Sequence, residues 1–120
     1  MTAHNTALNN NLARHQEITL SVIGRKSGRS ISIPVWFVAE DNTLYLLPVQ
    51  GSDTQWYKNV QKKPSIRIDV GQTEAEVHIV LTTDAKQVSS VVEKFRAKYG
   101  PSNVKKYYSK FDVAVVAQLP

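Results

Sequence analysis

Ile23-Gly24-Arg25-Lys26-Ser27-Gly28-Arg29-Ser30-Ile31-Ser32-Ile33-Pro34 places strand-like residues on both sides of a tight basic turn. Gly24 and Gly28 accept backbone angles that other residues resist. Between them Arg25, Lys26 and Ser27 offer a planar fork of donors, a point charge and a hydroxyl. Before the turn, Ile18, Leu20 and Val22 alternate with Thr19 and Ser21 over residues 17–23, the two-residue period of a half-buried strand. After it, Ile31, Ile33, Val35 and Phe37 alternate with Ser32, Pro34, Trp36 and Val38, and Pro34 marks this second strand as an edge or a bulge. The turn joins strand to strand. On these residues alone it reads equally as an anion receptor and as a solvated hairpin turn.

Working outward, Asp41-Asn42 supplies turn chemistry and residues 44–49 a third strand, so three consecutive strands predict a meander. Residues 51–63 change to a helical period with Trp56 and Val60 on one face, Ser52 or Asp53 as the cap and Pro64 as the stop. Residues 65–70 and 74–81 alternate again around Gly71-Gln72, with Ala75, Val77, Ile79 and Leu81 inward. Thr83 or Asp84 caps a helix whose stripe is Val88, Val91, Val92, Phe95 and Tyr99, ended by Gly100-Pro101. A short helix over 102–110 and a strand over 113–117 complete the chain. Residues 1–16 read as an N-terminal segment, loose over 1–6 and helical through Leu8 and Leu12, and residues 17–120 as a single domain. About six strands with two or three inserted helices predict an α+β domain on a small antiparallel barrel.

The chain has 120 residues, a formal charge of +5 and no cysteine, which excludes disulfides, thiolate metal sites and cysteine nucleophiles. With no apolar signal-like run at the start and no stretch near the ~20 apolar residues that span a bilayer, a soluble, cytoplasmic protein is expected. Its pI of about 9.6 favours anionic partners. Nucleic acid, a phosphorylated cofactor and an anionic membrane surface, as a peripheral contact, all qualify. His4, His15 and His78 stand apart from any second ligand, so no metal is expected. The serines lack a nucleophile elbow, and the basic turn lacks the strand-turn-helix context of a dinucleotide fingerprint. Trp56 and Asn59 can pack the core or wall a planar ring. Tyr99, Tyr107 and Tyr108 can do the same.

Gly24-Arg25-Lys26-Ser27-Gly28, then Pro34, then Trp56-Tyr57-Lys58-Asn59 with Lys63-Pro64 resembles the deazaflavin-dependent nitroreductase family over residues 18–120. The resemblance implies a split antiparallel β-barrel of the flavin-reductase and pyridoxamine-phosphate-oxidase kind. It implies an oxidoreductase in which a reduced 8-hydroxy-5-deazaflavin coenzyme gives a hydride to a quinone, nitro or enone-type acceptor. Arg25, Lys26 and Ser27 would then hold the cofactor's phosphate and Trp56 and Asn59 frame the ring, with Gly28 and Pro34 also at the cofactor and Tyr99 and Tyr108 on the acceptor side. Pro48-Val49-Gln50-Gly51 stands where the nitroreductases carry Ser-Lys-Gly-Gly, and Ser102 and Lys105 stand where they place two of three tyrosines. Two alternatives remain: an FMN-binding oxidoreductase of the same fold, and a non-catalytic module for a lipid, a haem or nucleic acid. Either a monomer or a homodimer fits.

Overall fold

The computed structural model describes residues 6–120. The expected loose segment, apart from residue 6, and His4 lie outside the described residues. β1 (Glu17–Ile23) and β2 (Ser30–Trp36) form the predicted hairpin, with Leu20 opposite Ile33 and Ser21 opposite Ser32. β3 (Val38–Glu40) and β4 (Thr43–Leu46) form a second hairpin, whose Asp41 and Asn42 take φ of 50° and 61°. β5 (Ser65–Val70) and β6 (Thr73–Thr82) form the third, and β7 (Ala114–Gln118) closes the set.

All seven strands belong to one antiparallel sheet in the order β2-β1-β5-β6-β7-β4-β3. The meander is therefore a misreading. The single strand expected over residues 31–38 breaks at Phe37, and its two halves lie on opposite edges of the sheet. Alternation alone could not show this, because apolar residues alternate through the break without interruption. The chain carries the sheet from one edge to the other at that residue, which makes the fold a split antiparallel β-barrel.

Among the described residues four helices surround it, one more than the upper expectation. α1 (Thr6–Arg14) buries Leu8 and Leu12 in the barrel core, and Asn11 Nδ2 donates to Val70 O and Thr73 Oγ1 at 3.3 and 3.1 Å. α2 (Gln55–Lys62) starts later than predicted: residues 51–53 form a separate 3-10 turn and Thr54, not Ser52 or Asp53, is the cap residue. The Thr54 hydroxyl instead accepts from the Gln50 N–H at 2.8 Å, which holds the loop before the helix. α3 (Ala85–Tyr99) is capped as predicted by Asp84, whose carboxylate accepts from the Gln87 N–H at 3.0 Å. α4 (Pro101–Tyr107) follows directly after Gly100.

Two cores result. Ile18, Leu20, Ile66, Ile68, Val77, Trp56 and Tyr57 fill the barrel. On its outside, Val88, Val91, Val92 and Phe95 of α3 pack with Val104 and Tyr108 against Val38, Leu47 and Ala114. Burial of these side chains, at ~1.5 to 3 kcal/mol each, fixes α3 and α4 to the sheet.

Candidate functional site

The basic turn is folded onto α2. Gly24 N–H donates to Arg29 O at 2.8 Å and Gly28 N–H to Gly24 O at 2.9 Å, while Gly28 takes a φ of 71°, where glycine is favoured. Ser27 Oγ accepts from the Arg29 N–H at 3.1 Å and keeps its own proton to donate. Arg25 reaches across to the helix: its backbone N–H and its Nη1 donate to Asn59 Oδ1 at 3.1 and 2.7 Å, and its Nη2 donates to Gln55 Oε1 at 2.9 Å. Gln55 and Asn59 are one helical turn apart, so both amide oxygens meet one guanidinium. Asn59, buried, is committed to Arg25. Lys26 is exposed, and among the described residues neither it, Arg25 nor Arg29 pairs with a carboxylate. A cavity of about 260 Å³ opens here between Gly24, Lys26, Ser27, Ile31, Gln55 and Asn59.

A second cavity, of about 410 Å³, lies beside it and is lined chiefly by Ile33, Val35, Trp36, Leu47, Trp56 and Tyr108, with Glu17 as its one charged residue. Pro34, Val49 and Tyr107 complete the lining. The same two elements line both cavities. β2 gives Ile31 to the first and Ile33 and Val35 to the second; α2 gives Gln55 and Asn59 to the first and Trp56 to the second. One end is cationic and rich in donors; the other is aromatic and aliphatic.

The aromatic wall is rigid. Trp36 stacks on Tyr99 with ring centroids 4.2 Å apart and 8° between planes, and Tyr107 meets Trp36 edge-on at 5.4 Å. Tyr108 stands edge-on to Phe95 at 5.9 Å and stacks against Phe111 at 6.4 Å. Burial pushes the Tyr108 phenol well above its ordinary range and Tyr99 up to about 12. The loop floor is tied to the C-terminal segment. Asp112 accepts from Ser52 N–H at 2.9 Å and from Ser52 Oγ at 2.6 Å. Burial opposes the charge of Asp112, but the Ser52 bonds and the Lys110 ammonium hold its carboxyl below the usual range.

The structure brings Arg25, Lys26, Ser27, Pro34, Trp56, Asn59 and Tyr108 to the two cavities; Gly28 closes the turn beside them. Tyr99 lies elsewhere: it sits behind Trp36, outside both linings, with its hydroxyl on the backbone of Phe37 and Gln16. Sequence reasoning missed Trp36, Leu47, Glu17 and Gln55. A signal existed for Trp36, a large aromatic on the otherwise polar face of β2. For Gln55 the one-turn spacing to Asn59 was legible, but its partner, 30 residues away, was not.

Residues 9–118 match the model of a family described as "Uncharacterized protein conserved in bacteria (DUF2255)". No curated protein sequence matches the chain. Among solved structures, an F420-H2 dependent reductase (FDR-A) is similar at a TM-score of 0.68 and 16% identity, over 87% of this chain and 95% of that one. The haem storage protein HutZ of Vibrio cholerae gives a TM-score of 0.72 at 10% identity, over 99% and 91% of the two chains. A protein of Listeria innocua described as a candidate pyridoxamine 5'-phosphate oxidase gives 0.69 at 15%, over 95% and 90%. At these identities the likeness is one of fold.

Proposed function

We propose that this chain, which belongs to the DUF2255 family, is a cofactor-dependent oxidoreductase that holds a phosphorylated deazaflavin along the groove between β2 and α2. The observation that carries the reading is the pairing of a cationic, donor-rich cavity with an apolar, aromatic one along the same two elements. The donors present suit an anion: the Lys26 ammonium and the free proton of the Ser27 hydroxyl would take phosphate oxygens, with the Arg25 guanidinium, fixed by Gln55 and Asn59, adding its charge. The apolar cavity suits a planar ring and its acceptor, since Trp36 and Trp56 offer flat faces and the surrounding aliphatic residues exclude water. The cofactor would supply the hydride; the protein supplies orientation and electrostatics. A quinone, nitro or enone-type acceptor fits the lining because such molecules are flat and largely apolar. The pocket's one charge, Glu17, disfavours anionic acceptors.

FMN also has one phosphate and one flat ring, and it is the second reading. A haem reading finds no imidazole, thioether or thiolate in either lining and leaves only phenols as iron ligands. Titration of purified protein with a deazaflavin coenzyme and FMN in parallel, read by cofactor fluorescence, tests the proposal. Saturable deazaflavin binding that Lys26→Ala weakens about tenfold or more supports it. If neither cofactor binds, or if the variant binds both as tightly as the parent, the groove is not a cofactor site. Oligonucleotide binding is expected to be weak and lost steeply with salt.

A further inference from the structure

We propose that Tyr108 is the specificity-determining residue of the apolar cavity, its hydroxyl donating a hydrogen bond to a carbonyl or nitro oxygen of the molecule bound there. This rests on the reading of that cavity as the acceptor's site, and adds to it the group that the acceptor must carry.

Tyr108 is 5% exposed and lines the cavity, and its hydroxyl makes no hydrogen bond within the described residues but is not itself closed off from solvent. A phenol whose ring is buried and whose hydroxyl has no protein partner holds that hydroxyl for water or for a ligand that displaces the water. The contrast with Tyr99 is direct. That hydroxyl accepts from the Phe37 N–H at 3.0 Å and reaches the carbonyls of Gln16 and Phe37 at 2.7 and 2.8 Å, so it has nothing left for a ligand. Tyr107 is 54% exposed, and water can satisfy it. Trp36 and Trp56 carry single indole donors, and the remaining lining side chains apart from Glu17 are hydrocarbon.

The Tyr108 ring is also held in place. Phe95 meets it edge-on, Phe111 stacks on one side, and Trp36 lies 6.0 Å away at 46°. A donor whose rotamer is fixed by packing loses little entropy when it engages a ligand. Because its burial keeps the phenol protonated well beyond neutral pH, it donates rather than carries a negative charge. An acceptor oxygen takes the place of water on the hydroxyl; a hydrocarbon of the same shape displaces the water and leaves the hydroxyl unpaired. Sites built this way discriminate by the hydrogen bond, not by size.

The test needs no cofactor. Both tryptophans of the chain line this cavity, so their two indole N–H signals in a proton-nitrogen NMR spectrum report its occupation. Acetophenone and ethylbenzene, alike in shape and differing in the ketone oxygen, are titrated into the parent, Tyr108→Phe and Tyr99→Phe. The expected result is that Tyr108→Phe weakens acetophenone about three- to tenfold and leaves ethylbenzene within about twofold, while Tyr99→Phe preserves the parent's ratio. An unchanged ratio in Tyr108→Phe overturns the assignment of Tyr108 and leaves the cavity as a ligand site. If neither probe shifts the indole signals, the cavity reading falls and the Tyr108 assignment falls with it.

Discussion

Tyr99 closes the gap at Phe37: its hydroxyl accepts from the Phe37 N–H at 3.0 Å and lies 2.8 Å from the Phe37 carbonyl. The break in the strand at that residue leaves backbone groups without a sheet partner. The same hydroxyl reaches Gln16 O at 2.7 Å, and since it has one proton, Lys98 Nζ, 2.8 Å from Phe37 O, frees that proton for Gln16. One side chain thus joins α3, the segment before β1 and the crossing between the sheet's two edges.

Tyr99→Phe should lower the unfolding free energy by ~1 to 3 kcal/mol, the cost of leaving a buried backbone donor unmet. Urea denaturation measures it. Phe95→Ala, which empties the outer core, should cost more, ~3 to 5 kcal/mol. A Tyr99→Phe protein as stable as the parent would mean that water satisfies Phe37.

Lys98 gives the stability a pH dependence. Burial against Phe37 and Tyr99 lowers its pKa to about 8 from an ordinary 10.5, so above pH 8 the unfolded chain binds more protons than the folded one. Stability therefore rises with pH between about 8 and 10.5. The buried tyrosines act in the opposite sense: with Tyr99 raised to about 12 from 10.0, its contribution is complete below pH 10 and is lost as pH climbs towards 12. The urea midpoint should peak near pH 10, and Lys98→Met should flatten the rising limb while leaving the falling one.

Lys26 and Arg25 should part company on mutation. Lys26→Ala removes an exposed charge that pairs with no carboxylate among the described residues, and should leave the melting temperature unchanged while weakening anion binding about tenfold or more. Arg25→Ala removes the guanidinium bonds to Gln55 and Asn59 as well, and leaves buried Asn59 Oδ1 with the backbone N–H of residue 25 alone. It should weaken both binding and stability, the latter by ~1 to 3 kcal/mol. Equal melting temperatures for the two variants would argue against the clamp.

Gly51 should tolerate no side chain. It takes a φ of 54°, and a Cβ there would stand 2.0 Å from Asp112 Oδ1. Gly51→Ala should break the Ser52 to Asp112 contact and cost ~1 to 3 kcal/mol by strain and a lost charged hydrogen bond. Thermal denaturation checks it.

How far the sequence was legible follows the range of each interaction. The period-two runs, the Asp84 cap and the stripe on α3 are local patterns, and they were read with few errors. The crossing at Phe37 was invisible because the same alternation serves an unbroken strand and one that changes edges. Helix α2 was started too early because Ser52 and Asp53 look like caps, whereas Ser52 is claimed by Asp112, 60 residues on. In the candidate site, the basic turn and Trp56 stood out by composition. The commitments of Arg25 to Asn59 and of Tyr99 to Phe37 are contacts across 34 and 62 residues, and these decide which donors are left for a ligand.

The sheet order also governs how the molecule assembles. β3 and β4 adjoin the rest of the sheet only through β7, which pairs with β4 on one side and β6 on the other. Although β3 and β4 are made early, they must wait for a strand made after all the others. Until then their hairpin is a short ribbon of the kind that is at best marginally stable alone, and Leu47 and Val49, which follow it, cannot take their places in the cavity wall. Folding from the N-terminus during synthesis can secure β1, β2, β5 and β6 first, but ligand capture must await the last strand. A stop codon before residue 114 would therefore leave a partial sheet with two unclosed sides, prone to aggregate and unable to build the pocket.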